Sequence, residues 1–461
     1  MYRLTGILLC LITIAGCQKP SNVQPDLPQD KFIQAYFNHR QTGKQTYTDP
    51  YRQIERGGDN LEAIIIKEIE TANSTIDLAV QELNLPLVAK ALVKSHNSGI
   101  KVRVILDNNY SRPLSSLKSS EISRLTQRDR LKYNEFLNLV DKDNNNRLSQ
   151  SEINKGDALI ILRNAKIPII DDTADGSKGS GLMHHKFMVI DGKTIVTGSA
   201  NFTLSGIHGD FSNLETKGNI NHLLRIDRRD IADLFTQEFN YMWGENTTGG
   251  TNSKFGLAKP WRSPESTIWN NTKVTVQFSP TSSSKDWYLS SNSLINKTVN
   301  NANYSVDLAL FVFSEQLIAN TLQQKQNKGV EISGVFDAGF AFRYYSDVLD
   351  LLGITLLYRC QAEANNNPWI QPLETIGTAS TVIGDKLHHK FALIDRQTII
   401  TGSHNWSQAA NNINDETLLV INNFTLARHF EREFQRLFQS AFWQLPPKIK
   451  SKLKQQERDC Y

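Results

Sequence analysis

The chain of 461 residues has little net charge, few cysteines and only a short apolar run at its N-terminus. Its formal net charge is +4, and no basic stretch with interleaved aromatic residues is present, so charge alone makes no case for a nucleic-acid partner. Hydrophobic residues make up 39% and charged residues 21%, which is typical of a soluble globular protein. The length allows roughly two or three domains with ample cores.

The N-terminus has the pattern of a targeting segment. A single arginine precedes the apolar residues 6–14, a run too short to cross a bilayer comfortably. The run ends in Ile14-Ala15-Gly16-Cys17, which resembles a bacterial lipoprotein cleavage box. We therefore expect a signal peptide over residues 1–16, a lipid anchor at Cys17, a tether over residues 17–30 and a place in the bacterial cell envelope, facing periplasm or exterior. The alternative is an ordinary cleaved signal peptide with an incidental cysteine.

Cys360 and Cys460 are the only cysteines that follow Cys17. An oxidising compartment would permit a bridge that ties the C-terminal tail to the second half of the chain. Two free thiols are the alternative. The sequence leaves both open because it does not give the Cα separation that a bridge requires.

A stretch of nineteen residues occurs twice, at residues 184–202 and 388–406. Both copies have the polar pattern His-x-Lys, four residues, Asp, six residues, Gly-Ser-x-Asn. Short β-rich runs flank Asp191-Gly192, which is a strong hairpin signal. A hairpin would place the histidine, the lysine and the Ser-x-Asn segment at one end of a sheet. The matched residues are His184, Lys186, Asp191, Ser199 and Asn201 in the first copy and His388, Lys390, Asp395, Ser403 and Asn405 in the second.

Two such motifs in one chain resemble the phospholipase D superfamily, and the resemblance covers residues 32–443. A covalent intermediate lowers the barrier to phosphodiester hydrolysis, and two imidazoles on opposite sides of a phosphate suit in-line displacement. The resemblance implies His184 as the nucleophile and His388 as the general acid, then as the base for the water step. It implies that Lys186 and Lys390 neutralise the phosphate, so that catalysis requires no cofactor. The rest of the phosphate cradle would be Ser199, Asn201, Ser403 and Asn405.

Acidic residues near the motifs are assigned supporting roles. An Asn-x-Glu segment follows each motif and ends in Glu215 or Glu416, which resemble the family's downstream glutamate. We expect these carboxylates to orient the imidazoles and fix their tautomer. The alternative for each is a surface acid at the end of a strand. Asp191 and Asp395 are interpreted as turn residues that shape the hairpins, and the middle histidines of both motifs as support on the opposite face of the strand.

Other segments recur in the same order, which indicates an internal duplication. Residues 74–80 match residues 304–310, and a Phe-x-x-Glu-Phe segment also occurs twice. Strands that alternate with helices predict an α/β fold with two duplicated halves, residues 31–268 and residues 269–461. Each half would be a mixed sheet flanked by helices, with the active site at the interface between the halves.

The first half contains an insertion at residues 115–156. Asp107 to His184 spans 77 positions, whereas Asp337 to His388 spans 51, a difference of 26. Part of the insertion resembles an EF-hand calcium loop, although Asn146 stands where glycine is usual. The alternative is an acidic, solvated loop that binds no metal. The expected Ca²⁺ ligands are Asp141, Asp143, Asn145, Arg147, Ser149 and Glu152.

Three hypotheses for function remain. The first is a phosphodiesterase of phospholipase D type that hydrolyses a phospholipid such as phosphatidylcholine to phosphatidic acid and free head group through a phosphohistidine. The second is an endonuclease that cleaves DNA or RNA, because residues 199–203 resemble the nuclease branch of the superfamily. The third is a calcium-responsive surface binder without catalysis, which two complete motifs disfavour. The expected partners are a phosphodiester substrate and a membrane, with nucleic acid as the alternative, and we expect a monomer.

Overall fold

The computed structural model describes residues 25–41, 46–177 and 181–460. The expected signal peptide, the anchor at Cys17 and the first part of the tether lie outside the described residues. Residues 25–30 contact the folded body, because the backbone carbonyl of Pro25 accepts a hydrogen bond from Arg432 and that of Pro28 contacts the ring of His429. The stretch that could act as a free tether therefore ends before residue 25. Within the described ranges, no helix is both long and apolar enough to cross a membrane.

The first half forms a seven-stranded mixed sheet with the order β1-β9-β8-β7-β4-β5-β6, and β2 and β3 make a separate hairpin. β4, β5 and β6 run parallel to one another, whereas β1, β9, β8, β7 and β4 pair antiparallel in succession. The strands are β1 (Ile33–Phe37), β2 (Thr46–Thr48), β3 (Glu55–Gly57), β4 (Thr75–Val80), β5 (Lys101–Leu106), β6 (Ile169–Asp171), β7 (Lys186–Ile190), β8 (Thr194–Gly198) and β9 (His222–Asp227). The helices are α1 (Leu61–Glu70), α2 (Pro86–Asn97), α3 (Ser119–Ile122), α4 (Gln127–Val140), α5 (Gln150–Gly156), α6 (Ala158–Asn164), α7 (Leu204–Ile207) and α8 (Arg229–Trp243).

The second half repeats this arrangement in an eight-stranded sheet with the order β10-β11-β19-β17-β16-β12-β14-β15. The strands of this sheet are β10 (Glu265–Trp269), β11 (Thr272–Ser279), β12 (Ser305–Leu310), β14 (Glu331–Phe336), β15 (Ile376–Thr378), β16 (Lys390–Ile394), β17 (Thr398–Gly402) and β19 (Glu416–Asn422). β13 (Phe313–Ser314) and β18 (Trp406–Ser407) pair separately as a short parallel ladder. The helices of this half are α9 (Ser291–Asn300), α10 (Gln316–Gln326), α11 (Ala338–Ala341), α12 (Val348–Leu351), α13 (Gln408–Asn412), α14 (Phe424–Ser440) and α15 (Pro447–Asp459). The predicted boundary after residue 268 cuts β10, so the second sheet begins earlier than expected.

The predicted fold class is confirmed, because both halves contain a mixed sheet flanked by helices and equivalent strands lie in the same order. One buried apolar cluster joins the two sheets and includes the inner faces of α8 and α14. α1, α2 and α6 cover the outer face of the first sheet. Apolar residues at helical spacing explain this placement, since a helix with one apolar stripe must bury that stripe against a sheet.

Side-chain contacts fix the start of α1 and the end of α15. Asn60 caps α1 by accepting a hydrogen bond from the backbone of Ala63, while the neighbouring Asp59 accepts one from the backbone of Phe37. Cys360 and Cys460 are joined by a disulfide with a Cα–Cα distance of 5.3 Å. The bridge ties the end of α15 to the second half, which resolves the question that the sequence left open.

Candidate active site between the two halves

The repeated motif forms a hairpin in each half. β7 and β8 are joined at Asp191, where φ is +53°, and β16 and β17 are joined at Asp395, where φ is +50°. The carboxylate of Asp191 accepts hydrogen bonds from the backbone of Ser74 and Thr75 at 2.7 and 2.9 Å, and Asp395 makes the equivalent contacts in its own half. Both aspartates lie at the end of the hairpin remote from the histidines, so they shape the hairpin and do not touch the reacting groups.

The extended segments before β7 and β16 cross the interface and pair with the opposite half. The backbone N–H of His184 donates to the carbonyl of Asp415 at 2.9 Å, and that of His388 donates to the carbonyl of Ile220 at 3.0 Å. These two reciprocal contacts bring both motif histidines to one site, where His184 is 6% exposed and His388 is 8% exposed. A ligand that enters this site can therefore meet both imidazoles.

The partners of the two imidazoles come from the opposite half and differ in charge. His184 Nδ1 lies 2.7 Å from Oε2 of Glu416, whereas His388 Nδ1 lies 2.9 Å from Oδ1 of Asn221. The expectation that Glu215 orients a histidine is wrong, because Glu215 is exposed and lies in a surface loop. Since β9 is the counterpart of β19, the position equivalent to Glu416 is Asn221 at the start of β9, and aligning the two strands would have found it.

The motif serines hold these acceptors in place. Ser199 Oγ donates to Oδ1 of Asn221 at 2.8 Å, and Ser403 Oγ donates to Oε2 of Glu416 at 2.7 Å. Each acceptor oxygen, on Asn221 or on Glu416, therefore faces the motif serine of its own half and the imidazole of the opposite half. This arrangement puts the hydrogen of each imidazole on Nδ1 and leaves Nε2 with a free lone pair.

The two lysines are completely buried beside the histidines. Lys186 Nζ donates to the backbone carbonyl of His184 at 2.8 Å, and Lys390 Nζ donates to that of His388 at 2.7 Å. Among the described residues, neither ammonium has an acid within ion-pair distance. Burial lowers the pKa of Lys186 to about 7, and burial together with the charge of Lys186 lowers the pKa of Lys390 well below its usual value. Two adjacent buried cations of this kind favour an anionic ligand.

The same environment keeps the imidazoles neutral. Burial, followed by the charges of the two lysines, lowers the pKa of both His184 and His388 well below the usual value for histidine. A neutral imidazole has a free lone pair, which a nucleophile requires. Burial also raises the pKa of Glu416, while hydrogen bonds from Ser403 and Asn414 act in the opposite direction.

The side-chain amides of the motif residues Asn201 and Asn405 are buried near the lysines. Asn201 Nδ2 donates to Oε1 of Gln81 at 3.3 Å, and Lys186 Nζ lies 3.5 Å from the same oxygen. Gln81 follows β4 and was not singled out in the sequence, which has no motif around it. The side-chain oxygens of Asn201 and Asn405 are buried and have no hydrogen-bond partner in the described part of the chain.

The middle histidines of the motifs hold the hairpins to the long helices. His185 Nε2 lies 2.9 Å from Glu238 of α8, and His389 Nε2 lies 3.0 Å from Glu433 of α14. Both rings are fully buried. Glu238 and Glu433 are the glutamates of the duplicated Phe-x-x-Glu-Phe segment. This duplicated segment therefore supplies the partners of the middle histidines in the duplicated His-x-Lys motif. This geometry agrees with a supporting role for His185 and His389.

The insertion contains a helix–loop–helix in which α4 and α5 flank residues 141–149. Oxygen atoms of Asp141, Asp143 and Glu152 lie within 4.8 Å of one another. Asn146 adopts a φ of +60°, the left-handed conformation that its position in the loop requires. The carboxylate of Glu152 accepts hydrogen bonds from the backbone of Ser149 and Lys142. The structure thus contains an acidic cluster in the loop between α4 and α5.

Two duplicated halves that share a buried pair of His-x-Lys motifs define a phospholipase D-like protein. The chain belongs to the family described as cardiolipin synthase, PLD-like domain, whose profile matches residues 65–243 and 295–438.

Curated relatives and a solved structure agree with this placement. The chain is 28% identical over 174 residues to a mitochondrial cardiolipin hydrolase of Xenopus tropicalis, covering 38% of this chain and 57% of the relative. It is 25% identical over 175 residues to a phospholipase D of Rickettsia prowazekii, covering 38% of this chain and 58% of the relative. The chain therefore spans a little over half the length of these relatives. The crystal structure of phosphatidylserine synthase from Haemophilus influenzae has a TM-score of 0.54 at 12% identity and covers 95% of both chains, which supports the fold alone.

Proposed function

We propose that the protein is a phosphodiesterase of phospholipase D type that hydrolyses a phospholipid to phosphatidic acid and a free head group. The observation that carries the proposal is the pair of buried imidazoles with buried lysines beside them and unequal partners behind them. His184 is backed by the carboxyl group of Glu416, whereas His388 is backed by the neutral amide of Asn221. The two imidazoles are therefore chemically different although their motifs are nearly the same.

This difference assigns the chemical roles. The carboxylate stabilises positive charge on the ring of His184, which develops when Nε2 of that ring attacks phosphorus. The amide stabilises a charged ring less, so a protonated His388 is the stronger acid and gives its Nε2 proton to the leaving oxygen. Binding of the anionic phosphate next to His388 favours that protonated state.

The proposed reaction has two displacements. In the first, the bond between His184 Nε2 and phosphorus forms while the bond from phosphorus to the head-group oxygen breaks, and His388 protonates that oxygen. In the second, the neutral ring of His388 takes a proton from water, the water oxygen attacks phosphorus, and the phosphorus–nitrogen bond breaks. Phosphatidic acid leaves and His184 returns to its starting state. Lys186 and Lys390 neutralise the non-bridging oxygens throughout.

Replacement of either histidine tests the catalytic assignment. His184→Ala and His388→Ala should each lower phosphodiesterase activity by several orders of magnitude, whereas the control His96→Ala, at the end of α2, should not. Mass spectrometry of the His388→Ala variant after reaction with substrate should detect a phosphatidyl group bound to His184. Near-wild-type activity of His184→Ala would contradict the proposal.

The substrate class requires a separate comparison. Phosphatidylcholine, cardiolipin and single-stranded DNA should be assayed side by side, with Ca²⁺ and with EDTA. We expect lipid hydrolysis to exceed DNA cleavage, because a lipid anchor at Cys17 would hold the enzyme at a membrane. Faster cleavage of DNA would replace the proposed substrate with nucleic acid and leave the chemistry of the site unchanged. Radiolabelled palmitate incorporation that is lost in Cys17→Ser would test the anchor and with it the proposed place in the cell envelope.

We also propose that residues 141–152 bind Ca²⁺ and stabilise the insertion. The clustered carboxylate oxygens and the left-handed Asn146 support this, since hard oxygen donors around a tight loop suit Ca²⁺. EDTA should lower the melting temperature without changing turnover at low temperature, and the variant Asp143→Asn should abolish that shift. An unchanged melting temperature in EDTA, or direct titration that shows no Ca²⁺ binding, would contradict the proposal.

A further inference from the structure

Three exposed aliphatic side chains lie on neighbouring segments at one side of the active site. Leu131 on α4 is 57% exposed, Leu214 in the loop after α7 is 57% exposed, and Ile383 in the loop before the second motif is 91% exposed. We call Leu131, Leu214 and Ile383 the aliphatic patch. Isolated exposed apolar residues are normal on a protein surface, whereas these three lie on segments that are hydrogen-bonded to one another.

Side-chain hydrogen bonds join the three segments. Glu135 lies one turn after Leu131 on α4, and its carboxylate accepts hydrogen bonds from the backbone of Phe211 at 2.5 Å and of Ser212 at 2.9 Å. Asn213 Nδ2 then donates to the backbone carbonyl of Ile383 at 2.9 Å. The patch is therefore built from the insertion, from the first half and from the second half, and its members are fixed relative to one another.

The surroundings of the patch carry charges of both signs, and three of the cations are exposed. Arg128, Lys217 and Lys386 are exposed, and the charges of Arg128 and Lys132 both act on Lys386. Lys132 lies 3.4 Å from Glu82 and is therefore partly neutralised.

The same segments also carry acids, which keep their charge when they accept hydrogen bonds. Asp129 accepts one from Thr126 and Asp210 accepts one from Ser205, whereas Glu135 and Asp385 accept theirs from backbone groups. Only Asp129 and Glu215 among these acids are exposed. Three exposed cations against two exposed acids leave a surplus of one positive charge, which favours an anionic partner.

The patch lies next to the entrance of the catalytic site. Lys386 is two residues from His388, and its charge acts on that imidazole. Lys132 lies 3.4 Å from Glu82, which immediately follows Gln81, and Gln81 contacts the buried Lys186. A surface that binds at the patch would therefore meet the site where the phosphate is expected.

We propose that the aliphatic patch and the cations around it are a membrane-docking surface that inserts into an anionic phospholipid bilayer and presents the active site to the lipid head groups. The proposal rests on the phospholipase function proposed above. Exposed aliphatic tips gain free energy when they enter the acyl boundary, and exposed cations gain from anionic lipids. A single-stranded nucleic acid would be expected to stack on exposed aromatic rings. The rings nearest these cations, Tyr110 and Phe311, are half-buried and lie beneath Lys132 and Lys386 at 4.4 and 5.9 Å, whereas the exposed side chains of the patch are aliphatic.

Vesicle sedimentation tests the docking surface directly. All proteins would be the full chain with Cys17→Ser, so that no lipid anchor contributes. The test variant Leu131→Ser/Leu214→Ser/Ile383→Ser should partition about tenfold or more weakly onto phosphatidylcholine vesicles that contain phosphatidylglycerol. The matched control Ile370→Ser removes an aliphatic side chain that is 96% exposed near α12 and should partition like the parent protein. Ile383→Trp should show a blue-shifted fluorescence on addition of vesicles.

Activity on two physical forms of one lipid separates docking from catalysis. The triple variant should lose activity on vesicles but retain it on a short-chain phosphatidylcholine below its micelle concentration. Equal vesicle partitioning of the triple variant and the control would overturn the proposal, as would a parallel loss of activity on the monomeric lipid. Reduced binding of an oligonucleotide with unchanged vesicle binding would assign the surface to nucleic acid and also overturn it. Vesicle binding that depends on the patch, without hydrolysis of any phospholipid, would instead refute the proposed function and leave the docking surface standing.

Discussion

Replacing Glu416 by glutamine would make the two halves of the site chemically equal. In the native protein Oε2 of Glu416 accepts hydrogen bonds from His184 Nδ1 at 2.7 Å and from Ser403 Oγ at 2.7 Å. A glutamine can keep both bonds by placing its carbonyl oxygen at the same point, as Asn221 does for His388 and Ser199. The tautomer of His184 is then preserved, while the negative charge behind the ring and the 3.3 Å hydrogen bond from Asn414 Nδ2 to Oε1 are lost.

The loss of the negative charge at residue 416 determines how much Glu416→Gln slows the reaction. A hydrogen bond to a charged partner contributes about 1.5–3 kcal/mol, and one between neutral partners contributes about 0.5–1.5 kcal/mol. The ring of His184 becomes positively charged only as Nε2 bonds to phosphorus, so the difference acts on the transition state and the intermediate. The middle values of these ranges differ by about 1.3 kcal/mol, which corresponds to a roughly 10-fold lower kcat/KM.

Single-turnover kinetics with a chromogenic phosphodiester would measure this step. The burst of leaving group should slow in Glu416→Gln, while the melting temperature should change little because the hydrogen bonds from His184 and Ser403 remain. Asn221→Asp is the matched control: a carboxylate behind His388 makes that ring a weaker acid, so it should slow substrates with poor leaving groups more than those with good ones. An unchanged burst rate in Glu416→Gln, or a loss as complete as that of His184→Ala, would refute the assignment of roles by charge.

Four further predictions concern charge, covalent structure and the hairpins. Because burial lowers the pKa of Lys186 to about 7, affinity of the free enzyme for inorganic phosphate should fall as pH rises from about 7 to 9; calorimetry that shows a constant affinity would contradict this. An unfolded lysine stays protonated to about pH 10.4, so the same group should make the unliganded protein more stable as pH rises through that window. Cys360→Ser opens a loop with a sequence separation of 100, and urea titration should show a loss of about 2–4 kcal/mol that reductant does not increase. Asp191→Ala should lower stability by about 1–2 kcal/mol and leave kcat of the folded protein unchanged, whereas a large fall in kcat would give Asp191 a catalytic role.

Much of the site was predictable because its elements are local. The hairpins follow from alternating apolar residues and a turn at Asp191-Gly192, and the same turn forms at Asp395-Arg396 despite a weaker signal. The duplication predicted two mixed sheets with equivalent order, which the structure confirms. Strand alternation also placed the middle histidines on the face away from the site, where they contact α8 and α14.

The prediction that Glu215 orients a histidine was wrong because it was made from a short sequence segment alone. The Asn-x-Glu segments that contain Glu215 and Glu416 look alike, yet one lies in an exposed loop and the other begins β19. Similar short segments do not fix which strand position faces the interface, because a shift of one residue turns every side chain to the other face. The register of β9 against β8 decided that Asn221 takes the place of a glutamate.

The sequence by itself determined the duplicated hairpins, the residues that they carry and the inserted helix–loop–helix, since each depends on periodicity and turn chemistry within a few tens of residues. The tertiary structure decided which groups meet. His184 and Glu416 are 232 positions apart and contact each other only because the halves dock face to face. The two imidazoles have partners of different charge, and α4 shares a surface with two distant loops. Both features arise from contacts between segments that are far apart in the sequence.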